Sequence, residues 1–236
     1  MQDFTSTFGN SAANALPEQR AQFIRRTYML LAATIAAFIV VEAALFVTGA
    51  AYVFTSFVFS GSRMTWLLVL GVFMVITWLA NSWADSGASK GMQYLGLGLY
   101  IIAEAIIFTP LLFVAAYASE DPYVIEKAGI VTIGLFLGIT ATVFLTRSDF
   151  TWLGPILAIG GFAALGFIVA SALFGFTLGN VFAFVMVAFA GTAILYQTSN
   201  VLHRFRTDQH VAAALALFAS VALLFWYILR IFSSRR

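Results

Sequence analysis

Seven long apolar stretches constrain this chain more than any other feature of its sequence. Each is close to 20 residues or longer, and together they cover residues 28–48, 66–84, 92–118, 129–146, 153–173, 178–198 and 211–232. A helix needs roughly 20 apolar residues to cross the hydrocarbon core of a bilayer, where its backbone groups must be paired within the segment. The stretches are too long for strands and lack a period of two, which disfavours a transmembrane barrel. We therefore predict seven transmembrane helices.

Composition supports the same fold class. Of the 236 residues, 62% are hydrophobic and 9% are charged, whereas a soluble domain has about 45–50% apolar and about 25% charged residues. A water-soluble enzyme and a disordered chain are excluded on this ground. The chain has no cysteine, which removes thiolate chemistry and cysteine-bound metals. The prediction is an all-α polytopic membrane protein with the lipid bilayer as its partner and no cofactor.

The polar residues divide the chain into three parts. Residues 1–27 form a polar N-terminal tail, residues 28–232 the seven-helix membrane domain, and residues 233–236 a short basic C-terminal tail. The part from Leu16 to Thr27 is expected to lie as a short interfacial helix. Because the first apolar run is long and contains Glu42, we interpret it as an uncleaved start-transfer helix rather than a signal peptide.

Basic residues next to the spans set the expected orientation. With the N-terminus in the cytoplasm, seven Lys and Arg residues lie inside and five outside. The net charge of +2 reflects this bias, so a nucleic-acid partner is not indicated. The three C-terminal arginines oppose the rule and leave two alternatives. The last segment either spans fully and ends outside, which we favour for its length, or re-enters and ends inside.

Two acids fall within the predicted spans, where a charge is costly and needs a reason. Glu104 lies near the middle of the third span, six residues before Pro110, and Pro110 is expected to kink that helix. A carboxylate beside a kink is a candidate gate or ion site. The competing interpretation of Glu104 is a hydrogen-bonded packing residue. Glu42, late in the first span, is either a second such acid or a residue that reaches the interface.

A second polar cluster ends the sixth span. Gln197, Asn200 and His203 follow each other at intervals of three and so share a helical face. They line either an ion pathway or only the membrane interface. Ser220, near the middle of the seventh span, is a further pathway candidate, although serine in a helix often bonds its own backbone. His203 and His210 are candidates for a pH-responsive rim.

Other seven-helix functions fit the residues less well. A retinal protein needs a lysine in its last helix, and the two lysines, Lys90 and Lys127, both fall in predicted loops. An intramembrane serine protease needs a buried serine–histidine pair, but Ser89 lies at a membrane edge and neither histidine is at mid-depth. Two histidines are too few for haem or zinc chemistry. We therefore expect a protein that is not an enzyme and holds no resident metal.

Blocks of residues along most of the chain resemble the Bax-inhibitor family, the transmembrane Bax-inhibitor-motif proteins, and within it the bacterial YccA-type branch. The most specific block is Ile-Leu-Tyr-Gln-Thr-Ser-Asn-Val-Leu-His at residues 194–203. The other similar blocks, in matching order and spacing, are residues 25–31, 104–112 around Pro110, 145–150, 153–154, 214–220 and 229–230.

The resemblance implies a fold of six helices around a central seventh. It also implies a function: members of the family are implicated in pH-sensitive calcium leak and in suppression of stress or cell death. The YccA-type branch is associated with modulation of a membrane-anchored AAA protease. By this resemblance the expected location is the bacterial inner membrane. The oligomeric state is left open.

The family's leak mechanism rests on two carboxylates, which by the motif match correspond to Gln197 and Ser220 here. Neither residue is acidic, and the family's accompanying basic residue has only Lys90 as its nearest counterpart. A paired-acid pH latch is therefore not expected. Two hypotheses follow: a leak for calcium or another cation that uses Glu104, and a non-conducting modulator of a membrane AAA protease that acts through residues 1–27.

Overall fold

The computed structural model describes residues 11–61, 63–84 and 87–234, and within these ranges the chain is almost entirely helical. Seven of its helices are long and apolar enough to cross a membrane, which confirms the predicted fold class. Chain order gives the helices α1 (Pro17–Val47), α2 (Ala50–Ser60), α3 (Arg63–Ala84), α4 (Lys90–Ala118), α5 (Val124–Thr146), α6 (Gly154–Phe174), α7 (Gly179–His203) and α8 (His210–Ser233).

The last helix, α8, is the centre of the bundle. It packs against α1, α3, α4, α5 and α7 and is the most buried of the seven spans, followed by α4. Helix α6 lies at the periphery, against α3 and α7. Since α8 is apolar on every side, it is suited to this buried position. The α8 segment is a full-length helix, as the favoured alternative requires.

Two segments differ from the sequence-based prediction. Residues 17–27 do not form a separate interfacial helix, because α1 runs without a break from Pro17 and buries Phe23 and Thr27. Residues 50–60 form the short helix α2, which packs against α1 and α4. Its 11 residues are too few to cross a bilayer. Of the predicted tails, residues 1–10 and 235–236 lie outside the described residues.

Close approach of α3 and α4 depends on one glycine. A β-carbon at Gly96 of α4 would lie 2.7 Å from the carbonyl oxygen of Ala80 and 2.9 Å from the Trp83 β-carbon on α3. Both distances are shorter than van der Waals contact. Small residues let membrane helices approach in this way, so Gly96 positions α3 beside α4.

The bundle has two ends, which we name by the termini. At the amino end, where α1 begins, the Arg20 guanidinium donates to the carbonyl of Leu202 at the end of α7, 3.3 Å away. Tyr94 of α4 bonds His210 of α8 at 3.2 Å, so α4 and α8 start together and run in the same direction. At the carboxyl end, where α8 ends, Ser234 donates to Asn180 at the start of α7 over 2.8 Å.

Candidate functional site

A cavity of about 700 Å³ enters the bundle from its carboxyl end. Its walls come from α3, α4, α6 and α8, and the loop between α6 and α7 forms its rim. Gly175 begins that loop at φ +77°, a left-handed conformation that glycine adopts without the cost a side chain imposes. The volume lies within the range of about 300–1,000 Å³ that is usual for small-ligand sites.

Glu104 forms the deep polar part of this cavity. It is 6% exposed, and the Tyr100 hydroxyl, one turn earlier on α4, donates to its Oε1 over 2.6 Å. Among the described residues, no group bonds the other oxygen, Oε2. Because Glu104 lines the cavity, this second oxygen is the acceptor that it offers to a molecule or ion inside.

Aromatic side chains make up much of the remaining wall. The Phe108 ring packs edge-on against Trp226 with centroids 4.9 Å apart, and the Tyr100 ring contacts Phe218 at 6.0 Å. Such edge-to-face pairs are well-packed and rigid parts of a core. The aromatic residues that line the cavity are Trp66, Phe73, Tyr100, Phe108, Phe176, Trp226 and Tyr227.

A positively charged side chain lies near the mouth of the cavity. Arg230, in the last turn of α8, lines the cavity and forms no ion pair with the residues that the structure describes. The Tyr100–Phe218 contact puts Glu104 level with about residue 222 of α8. At 1.5 Å per residue, Arg230 lies about 12 Å further toward the carboxyl end. An acid at depth and a guanidinium near the mouth therefore share one apolar cavity.

Glu42, the other buried acid, lies outside the cavity wall. It is 7% exposed, and the Thr109 hydroxyl of α4 approaches its Oε2 at 3.5 Å. That hydroxyl bonds its own helix more closely, at the Ala105 carbonyl 2.8 Å away. Pro110 follows Thr109 within α4, which remains helical through it. Glu42 thus lies against α4 beside the proline, and its Oε1 is buried without a hydrogen-bond partner among the described residues.

The two positions that match the family's paired acids bond within their own helices. Gln197 accepts a bond from the Asn200 amide at 3.2 Å, so these two residues share a face of α7 as predicted. Ser220 donates to the carbonyl of Ala216 over 3.0 Å, the bond expected of a serine within a helix. Neither contact joins α7 to α8, and neither involves a carboxylate.

A polar network at the amino end holds the α5–α6 loop against the end of α7. The Ser199 hydroxyl accepts the Phe150 N–H at 2.9 Å, and Arg204 donates to the Thr151 hydroxyl at 2.9 Å. Hydrogen bonds from the hydroxyl and the backbone N–H of Thr151 lower the pKa of Asp149. No sequence pattern indicated this network, although Asp149 falls in a family-like block and Arg204 directly follows one.

The two histidines make separate contacts at this end. His203 Nδ1 lies 3.0 Å from the Ser199 carbonyl oxygen, within the network, whereas His210 bonds Tyr94. The pH-responsive rim suggested by the sequence therefore stays a prediction, with a different partner for each histidine. Among the described residues, no three side chains of histidine, cysteine, aspartate or glutamate lie close enough to hold a metal ion.

These observations define the class: a helical membrane protein whose described residues form seven candidate spans, packed around α8, with an acid-lined cavity. The chain matches the sequence model of the family described as "Inhibitor of apoptosis-promoting Bax1" over residues 20–236. The chain therefore belongs to the Bax-inhibitor family, which confirms the resemblance found in the sequence.

Relatives in this family come from eukaryotes and bacteria. The chain is 28% identical to Bax inhibitor 1 of Schizosaccharomyces pombe over 224 residues, 90% of this chain and 76% of that protein. It is 29% identical to Protein lifeguard 4 of Mus musculus over 141 residues, 57% of each chain. It is 34% identical to an uncharacterized protein of Pseudomonas aeruginosa over 112 residues, 46% of this chain and 49% of that one.

Proposed function

We propose that this Bax-inhibitor-family protein is a leak pathway for calcium or another cation, with Glu104 as its internal attracting group. One observation carries the proposal: Glu104, whose Oε2 has no partner among the described residues, lines at mid-helix depth a cavity that enters from one end of the bundle. Acids at membrane depth mark ion pathways more often than they serve packing.

The pathway is closed beyond Glu104 in this conformation. Toward the amino end, Leu97 of α4 and Leu215 of α8 are buried, and Tyr100 packs on Phe218. Passage would require α8 to shift against α4, so that the central helix acts as the plug. A closed resting state with a rare opening is consistent with a slow leak.

The few oxygen ligands that the cavity offers favour passage of a cation over its tight binding. Calcium usually takes six to eight oxygen ligands when it is held tightly, and the cavity offers one carboxylate with hydroxyls nearby. Conduction needs binding that is weak enough for the ion to leave. With Gln197 and Ser220 in place of the family's acids, we propose a leak that lacks the paired-acid pH latch.

Calcium flux into proteoliposomes tests this proposal. The wild-type protein should conduct, Glu104→Gln should abolish conduction, and Glu42→Gln should retain it, because Glu42 lies outside the cavity. The two variants are matched, since each replaces a buried carboxyl group with an amide of the same shape. Absence of flux in the wild type, or equal flux in Glu104→Gln, would refute the proposal.

For location, we propose the bacterial inner membrane with the N-terminus in the cytoplasm. The lysine and arginine distribution and the Pseudomonas relative support this placement. The cavity would then face the outer side, because the carboxyl end of the bundle lies opposite the start of α1. Thiol labelling of single cysteines added at Ser11 and Ser234, in intact cells, would check the orientation.

A second proposal is that the chain modulates a membrane-anchored AAA protease through its N-terminal tail. The Ala12 N–H donates to the Phe205 carbonyl over 2.8 Å, so the tail is attached to the loop that leads into α8. A partner that pulls on the tail would therefore act directly on the central helix. Deletion of residues 2–15 should remove this modulation and leave calcium flux in place.

A further inference from the structure

We propose that the cavity at Glu104 is also a binding site for an organic ammonium ion with a compact apolar body. The charged head would bond Glu104 Oε2, and the apolar body would occupy the aromatic part of the cavity. The proposal shares Glu104 with the cation pathway but does not require the protein to conduct.

The first argument for an organic ammonium ligand is the carboxyl group of Glu104. Glu104 is 6% exposed, and Tyr100 fixes its Oε1 through a bond of 2.6 Å. Its side chain is therefore held in one orientation before any ligand arrives. Oε2, which no described residue bonds, is an acceptor in an apolar setting, where a charge-assisted bond to an ammonium group is stronger than a bond to a neutral donor.

The second argument for an organic ammonium ligand is the aromatic wall of the cavity. Phe108 and Trp226, held edge to face, line the same cavity as Tyr100 and Glu104. Aromatic faces attract cations, and organic ammonium ions are recognised by such side chains. A small hydrated metal ion gains little from an aromatic wall, because it prefers oxygen ligands. The combination of one carboxylate and several aromatic rings therefore fits an organic cation better than an inorganic one.

The volume of the cavity and the charge at its mouth restrict further which ligands can bind. The volume of about 700 Å³ accommodates one drug-sized molecule. Arg230 near the mouth disfavours a second positive group at that level, about 12 Å from Glu104. The site should therefore prefer a monoamine over a diamine of that length. Burial of the apolar body supplies the remaining affinity.

Three probes with the same hydrocarbon cage test the site: 1-adamantylamine, 1-adamantanol and adamantane-1-carboxylate. Tritiated 1-adamantylamine is bound to the full chain in lipid nanodiscs without an ion gradient, and each unlabelled probe competes for it. Empty nanodiscs correct for partition into lipid. The amine should compete about tenfold or more better than the alcohol, and the carboxylate should compete least.

Variants assign the binding to Glu104. In Glu104→Gln the affinity for the amine should fall to that for the alcohol. In Glu42→Gln the amine should still bind about tenfold or more better than the alcohol. If Glu104→Gln fails to fold, Ala219→Trp takes its place, since Ala219 lines the cavity and an indole ring there should weaken binding of the amine and the alcohol alike.

Equal affinity for amine and alcohol, no binding of the amine to the wild type, or an unchanged preference in Glu104→Gln would overturn the proposal. So would undiminished amine binding in Ala219→Trp. Amine binding without calcium flux would leave the ligand site standing and remove the leak. Calcium flux without amine binding would leave the leak standing and remove the ligand site.

Discussion

The hydroxyl of Tyr100 donates a 2.6 Å hydrogen bond to Oε1 of Glu104. The two residues lie one turn apart on α4, so the bond forms within a single helix and survives movement of its neighbours. It orients the carboxyl group through Oε1, and Oε2 has no hydrogen-bond partner among the described residues. The same helix thus provides both the acid and the group that positions it, while α3, α6 and α8 provide the walls.

Packing of α3 on α4 should be sensitive to the size of residue 96. In Gly96→Ala the new methyl group would overlap the Ala80 carbonyl and Trp83, and such overpacking typically costs about 1–3 kcal/mol. We expect a lower melting temperature in detergent by scanning calorimetry. Gly98→Ala, where nothing lies within 4 Å of the added carbon, is the matched control and should melt no lower than the wild type. Equal melting of both variants would contradict the close α3–α4 contact.

Arg230 should limit the rate of cation passage. Removal of its charge in Arg230→Gln lowers the repulsion that a cation meets near the mouth, by about 0.5–1 kcal/mol for a partly solvated charge. Calcium flux should therefore rise about two- to fivefold. Arg206→Gln, at the opposite end and paired with Asp208, is the control and should change little. A fall in flux with Arg230→Gln would contradict the role given to this residue.

The N-terminal tail should detach from the α7–α8 loop when one hydrogen bond is removed. Ala12→Pro deletes the N–H that bonds Phe205, because proline has no backbone donor. Hydrogen exchange at residues 205–209 should then be faster, with little change in α4. Ala12→Gly keeps the donor and should resemble the wild type. Unchanged exchange in Ala12→Pro would show that the tail contact does not hold the α7–α8 loop.

Asp149 should stabilise the protein only when it is ionised. Its pKa is lowered from 3.8 by bonds from Thr151, so the contribution is fully present above the unfolded pKa and is lost as the pH falls through the lower folded value. Because the group is exposed, the effect is small. Asp149→Asn should lower the melting temperature by roughly 1–2 °C at neutral pH. At a pH below the folded pKa of Asp149 the two proteins should melt together, and a difference that persists there would contradict the ionic origin.

Much of the fold follows from local pattern alone. The spans are long, and a bilayer admits few alternatives for their backbone, so the seven helices and the mid-helix position of Glu104 could be predicted from the sequence. Helix α2 could not, because an apolar run of 11 residues is also compatible with a loop. A helix from Leu16 to Thr27 was predicted, but as a separate interfacial helix, because its polar turns differ from the apolar span that α1 continues into.

The cavity depends on long-range packing and has no sequence signature. Trp66, Phe108 and Arg230 come together only when α3, α4 and α8 are assembled, and each resembles an ordinary apolar or flanking residue in its own segment. Glu104 was found because a buried acid is unusual by itself. Arg230 was counted only as a charge that sets orientation, since its position relative to Glu104 depends on the α4–α8 register.

The central claim is that cations pass through the cavity in front of Glu104. The natural chain has no cysteine, so Ala219→Cys places a single thiol in the cavity wall. Calcium flux is recorded in the same proteoliposomes before and after reaction with a bulky neutral thiol reagent, with Ser234→Cys as a control outside the cavity. We predict that modification at residue 219 stops the flux and modification at residue 234 does not. Undiminished flux after complete modification of residue 219 would contradict the claim.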